Sequence, residues 1–199
     1  MSATHTSEPG GATRPRRLVP ASTVVIVVDV QERLAPAMPP DRLARVLRNI
    51  DVLLFAAERL GAPVLATEQY PSGLGRTVPP IAEALSRRAI VPIEKITFSA
   101  LDTPAFAAAL DALSVASAVV VGVETHVCVF QTVRSLVERG LAVYVAVDAV
   151  ASRAEEHRAV GLSLCERAGA FATTAETVAF DWLREAGSDA FRAVSKYLR

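Results

Sequence analysis

The sequence predicts an α/β protein: a three-layer α/β/α fold, doubly wound about a mainly parallel six-stranded sheet. Three observations lead there. Short β-branched runs alternate with segments of helical periodicity. The runs, such as Val24-Val25-Ile26-Val27-Val28, are apolar at every position, as in strands buried on both faces. No linker-like break interrupts the alternation after residue 21. Repeated βα units of this kind give a parallel sheet with helices on both sides.

The first twenty residues are rich in Ser, Thr, Gly and Pro and lack the apolar stretch of a secretory signal. They read as a flexible tail before one domain over residues 21–199. Strands are expected at Val24–Asp29, Val64–Thr67, Ile90–Ile93, Ala118–Val123, Ala142–Asp148 and Ala170–Thr173. Between the first two, Leu43, Val46, Leu47, Ile50, Leu53 and Leu54 fall on one face of a helix over Asp41–Leu60, which Gly61 closes. The turn formers of Thr67–Gly75 predict a loop at the sheet edge. Pro104 opens a helix over Thr103–Leu113, where its missing N–H costs little. Near the C-terminus, Phe191, Val194, Tyr197 and Leu198 recur at helical spacing after Phe180, Trp182 and Leu183. That amphipathic helix is available either to a neighbouring copy or to the chain's own core.

Composition narrows the function. Apolar residues make up 51% of 199, and Lys plus Arg balance Asp plus Glu at 21 each. A chain so composed buries a core, and its neutrality argues against a nucleic-acid binder. Its apolar runs are shorter than the roughly 18 residues of a membrane span. With only Cys128 and Cys165 and no metal-ligand spacing, a reducing, cytoplasmic location is expected. Cys165, in Gly161-Leu162-Ser163-Leu164-Cys165, reads as helix packing.

Cys128 is different. It follows the strand Ala118–Val123 in the run Gly122-Val123-Glu124-Thr125-His126-Val127-Cys128, where strand turns into helix. Free N–H groups at a helix start stabilise an anion, so a thiol there is expected to have a lowered pKa and to serve as a nucleophile. Asp29 and Lys95 also stand just past apolar runs, and open α/β sheets gather reacting groups at the carboxyl ends of their strands. His126 is two residues from Cys128, about 200 degrees around a helix, and so points elsewhere. His157 lies in a charged helix start, and His5 in the tail.

With Val28-Asp29-Val30-Gln31, Glu94-Lys95-Ile96-Thr97-Phe98-Ser99-Ala100 and Gly122-Val123-Glu124-Thr125-His126-Val127-Cys128-Val129 in this order, the sequence resembles the isochorismatase-like cysteine hydrolases over roughly residues 22–180. The resemblance implies a Rossmann-type fold and a triad of Asp29, Lys95 and Cys128. It also implies oxyanion-binding N–H groups at Glu124 and Cys128, a cis peptide between Val123 and Glu124, and assembly into homo-oligomers. Metal-dependent relatives carry Asp and His in the loop that here reads Glu68-Gln69-Tyr70, so no metal or other cofactor is expected. Pocket candidates by position are Leu34, Gln69, Tyr70, Phe98 and Thr125. The preferred activity is cleavage of a small-molecule amide or related C–N bond. The alternatives are an isochorismatase-type vinyl ether hydrolase, whose members typically lack the cysteine, and a non-catalytic binding or assembly protein.

Overall fold

The computed structural model describes residues 14–198. Its strands are β1 (Thr23–Val28), β2 (Val64–Gln69), β3 (Ile93–Lys95), β4 (Ser117–Val123), β5 (Ala142–Ala151) and β6 (Phe171–Thr173). All pairings among them are parallel, in the order β3-β2-β1-β4-β5-β6. The longer helices are α1 (Pro40–Leu60), α3 (Pro79–Ser86), α4 (Pro104–Leu113), α5 (Phe130–Glu138), α6 (Glu155–Arg167), α7 (Ala175–Leu183) and α8 (Asp189–Leu198); α2 (Pro71–Leu74) is a single turn.

Alternation along β1 divides the interior. Val25 and Val27 belong to a cluster with Ile50, Leu53, Ile81 and Trp182, from α1, α3 and α7. Val24, Ile26 and Val28 belong to a second with Phe106, Val133, Leu136 and Cys165, from α4, α5 and α6. A strand buried on both faces can be apolar throughout because neither face meets water. α1 ends as expected, on Gly61 in the left-handed conformation (φ 75).

Several boundaries differ from the sequence reading, each for a local reason. β3 begins at Ile93 rather than Ile90, because the Ile90 N–H closes the end of α3 on the Leu85 carbonyl and Pro92 has no N–H to give a ladder. Lys95 is therefore the last strand residue. β2 runs on to Gln69, paired with β3 through Thr67–Ile93 and Gln69–Lys95, so Glu68 and Gln69 are strand rather than loop. β5 continues past Asp148 to Ala151, and β6 starts at Phe171.

Ordered packing also starts before residue 21. Leu18 is buried and donates its N–H to Asp181, while the Arg16 N–H and carbonyl both bond the Tyr144 hydroxyl. Most of the expected tail, with His5, lies outside the described residues. α8 packs on its own chain: Val194 is buried, and Tyr197 stacks on Phe55 of α1 at 4.0 Å between centroids and donates to Asp51.

Candidate active site

Three strand ends converge. Asp29 follows β1 in the left-handed region (φ 51), Lys95 closes β3, and Cys128 lies in a π-type turn, Thr125–Val129, between β4 and α5. β4 approaches β1 closely just before the turn, since a Cβ on Gly122 would stand 2.1 Å from the Val28 carbonyl oxygen. α6 presses on the turn from outside, since a Cβ on Gly161 would lie 2.7 Å from the backbone of Thr125 and His126. Only glycine fits either contact. The Val123–Glu124 peptide is cis, and the Glu124 carbonyl accepts from both Val127 and Val129.

The Asp29 and Lys95 side chains are wholly buried and joined by a 2.8 Å ion pair through Oδ2. Burying two charges is costly unless their remaining capacity is satisfied. Here it is: the Thr67 hydroxyl donates to Asp29 Oδ1 at 2.7 Å, and the Lys95 ammonium donates to Gln69 Oε1 at 2.6 Å and more distantly to the Thr97 and Phe98 carbonyls. Gln69 is held in turn by Gln31, whose side-chain amide bonds both its N–H and its carbonyl.

Beside this pair sits the Cys128 thiol, also buried. Its pKa is not lowered, as the sequence suggested, but pushed up to about 12. Burial is the main cause and the Asp29 carboxylate the next, and Lys95 only partly opposes them. The helix-start argument is outweighed rather than misplaced: the helical turn does begin at Thr125, but burial and the Asp29 charge exceed what its N–H groups can offer. The resting thiol is thus protonated. It faces Asp29 as a potential donor, without a fully formed hydrogen bond among the described contacts.

Glu124 is buried, with Arg153 Nε 2.6 Å from Oε1, off the hydrogen-bond line, and Nη2 donating to Oε2 at 3.3 Å. His126 bonds Ser152 Oγ through Nδ1 at 3.0 Å and packs against the exposed His157 with the rings tilted by 33°; burial lowers its pKa. Among the described contacts its polar partners are Ser152 and Glu124, not Cys128.

The pocket candidates separate. Tyr70 lines an open groove of about 900 Å³ with Arg76, Glu94, Ile96, Thr97 and Asp102, which reaches Lys95 but not Cys128. Gln69 is turned inward to hold Lys95 rather than lining this groove. Leu34 packs against the α1-side core, away from the cysteine's cluster. Phe98 is exposed, and Thr125 is buried with its hydroxyl unbonded among the described residues. Sequence reasoning missed Thr67 and Arg153. Thr67 was within reach of it, since in parallel register it stands opposite Val28, one residue before Asp29.

Residues matching the family's metal loop do not fit an ion. Burial works to raise the Glu68 pKa, but donors from Thr77 and Arg76 outweigh it and leave the carboxylate lowered and occupied. Gln69 is committed to Lys95 and Ile96. No cluster of three His, Cys, Asp or Glu among the described residues is arranged for a metal.

A doubly wound parallel sheet carrying a buried Asp–Lys pair and a thiol at its strand ends defines a class of Rossmann-type α/β proteins. The chain belongs to the isochorismatase domain family, whose sequence profile matches residues 23–177. Isochorismatase domain-containing protein 2A of Mus musculus is 35% identical over 92% of this chain and 85% of its own. The structure of MAR1 ribonuclease from Caenorhabditis elegans matches with a TM-score of 0.82 at 35% identity, over 92% of both chains. The YcaC gene product of Escherichia coli, described as an octameric hydrolase of unknown specificity, matches in fold with a TM-score of 0.82 at 24% identity, over 93% of this chain and 92% of that one. The chain is thus a member of this family by sequence as well as by fold. No helix among the described residues is long and apolar enough to cross a membrane.

Proposed function

We propose that the protein cleaves an amide or related C–N bond of a small molecule through a covalent acyl-enzyme, with Cys128 as nucleophile, Asp29 as base and Lys95 as electrostatic partner. The observation that carries this reading is the buried Asp29–Lys95 pair beside a protonated buried thiol. A thiol so raised needs a base at hand, and a carboxylate shielded from water is one.

In the first half-reaction the Sγ proton passes to Asp29 as sulfur attacks the carbonyl carbon. Backbone N–H groups of Glu124 and Cys128 stabilise the oxyanion. On collapse the C–N bond breaks, and Asp29 returns the proton to the departing nitrogen. Water then attacks the thioester, giving its proton to Asp29, and the released sulfur recovers that proton as the acid product leaves. Lys95 stays charged throughout and balances the negative charge on Asp29 and on the transition state. Vinyl ether cleavage would leave the thiol without a task.

The C. elegans relative is described as a ribonuclease. Here the groove beside the site presents Glu94 and Asp102, and Arg76 is already bonded to Glu68 and Glu94. That favours a small neutral substrate over a phosphodiester, and the protein's formal charge of zero agrees. Two free thiols support a cytoplasmic setting. We also expect self-association; α8 is engaged by its own core, so the interface lies on another face.

The test is a screen of small amides, ureas and carbamoyl compounds for ammonia or amine release, with intact mass read for an acyl adduct on Cys128. Turnover by Cys128→Ala at the wild-type rate would overturn the covalent mechanism. Light scattering that finds a monomer at micromolar concentration would overturn self-association.

A further inference from the structure

We propose that Thr67 is a positioning residue for this chemistry: its hydroxyl, bonded to Oδ1 of Asp29, holds the carboxylate aimed as the proton acceptor of Cys128. The proposal rests on the reading of Asp29 as the base.

Asp29 has two oxygens, and the structure divides them. Lys95 takes Oδ2 at 2.8 Å and Thr67 takes Oδ1 at 2.7 Å. Thr67 is itself buried, so no water competes for its single hydroxyl hydrogen. Backbone geometry reinforces the contact, for the Asp29 N–H donates to the Thr67 carbonyl at 3.2 Å and the preceding residue, Val28, stands opposite Thr67 in the β1–β2 register. Asp29 adopts a left-handed conformation (φ 51), uncommon outside glycine and taken most readily by Asp and Asn. One strand residue thus grips both the main chain and the side chain of the base.

The electrostatic consequence follows from burial. Desolvation favours the neutral acid, whereas a hydrogen bond donated to the anion favours the carboxylate. Lys95 and Thr67 are the two side chains that donate to this carboxylate among the described contacts. Of the two only Lys95 is charged, so replacing Thr67 disturbs the base without removing an ion. Losing the hydroxyl frees Oδ1, so that the carboxylate is no longer held toward the thiol. Valine keeps the branched shape and removes the donor; serine keeps the donor.

The experiment reads the rate of alkylation of Cys128 by iodoacetamide at one pH near neutrality, with each cysteine followed by peptide mass. It needs no substrate. Thr67→Val slows Cys128 by about tenfold against the wild type, the usual worth of one hydrogen bond to a charged group. Thr67→Ser restores the wild-type rate, which a merely space-filling role would not require. Thr67→Ala serves in place of valine if that variant does not fold, with the same slowing expected. A folded Thr67→Val or Thr67→Ala that reacts at the wild-type rate would overturn the proposal, as would a Thr67→Ser slowed as far as they are. Failure of the underlying reading looks different: Asp29→Asn would then react as fast as the wild type, showing that another group takes the thiol proton.

Discussion

Cys128 and Cys165 lie in the same apolar cluster on one side of the sheet, both buried and both with thiols pushed up to about 12. For both, burial is the main cause. By solvent access or acidity the two sites could hardly be told apart. Their neighbours differ. Cys128 faces Asp29 with Lys95 behind it, whereas Cys165 packs inside α6, with Glu166 as the charge that adds to its shift. A raised pKa therefore does not by itself separate the proposed nucleophile from a structural thiol; in the proposed mechanism the neighbouring Asp29 carboxylate does.

The largest expected effect separates the two directly. Cys128→Ala should lower hydrolysis by at least about 10³-fold, as removal of a covalent nucleophile does, while Cys165→Ala leaves kcat/KM within about twofold. Equal losses in steady-state assays would erase the contrast. Next, Asp29→Asn should cost about 10²- to 10⁴-fold in rate, the usual worth of a positioned acid–base group. It should also bring Cys128 down to the slow iodoacetamide reactivity of Cys165.

Lys95→Met tests the charge behind the base. It leaves the buried carboxylate without its cation, a change that typically costs about 3–5 kcal/mol. Urea melts near neutral pH should show that loss. An unchanged midpoint would mean that the pair contributes nothing to the fold.

Alkaline pH reverses the comparison, because there the two thiols behave alike. Each has a folded pKa raised from the ordinary 9.0 to about 12. As pH climbs from about 9, the unfolded chain releases thiol protons that the folded chain keeps, so stability falls until the folded thiols ionise. Cys165→Val and Cys128→Ala should each make that decline shallower than in the wild type by denaturant titration. The smallest effect is an expected zero: dialysis against a chelator should leave both hydrolysis and the alkylation contrast unchanged. Loss of activity restored by zinc or manganese would refute metal independence.

How much of this was legible in the chain depends on how far each feature reaches. β1, α1 with its Gly61 cap, and α4 behind Pro104 were readable because periodicity, capping and proline chemistry act within a few residues. For the same reason Asp29, Lys95 and Cys128 stood out as polar residues at the ends of apolar runs, and parallel winding followed from the alternation of those runs. The tertiary structure decided what depends on residues distant in sequence. It shifted β3 to end on Lys95, extended β2 to Gln69, which with Thr67 bonds the ion pair, and laid α8 on Phe55 of its own chain. It also reversed the expected acidity of Cys128, because a pKa is set by burial and by charges up to a hundred residues away along the chain, and no local pattern records either.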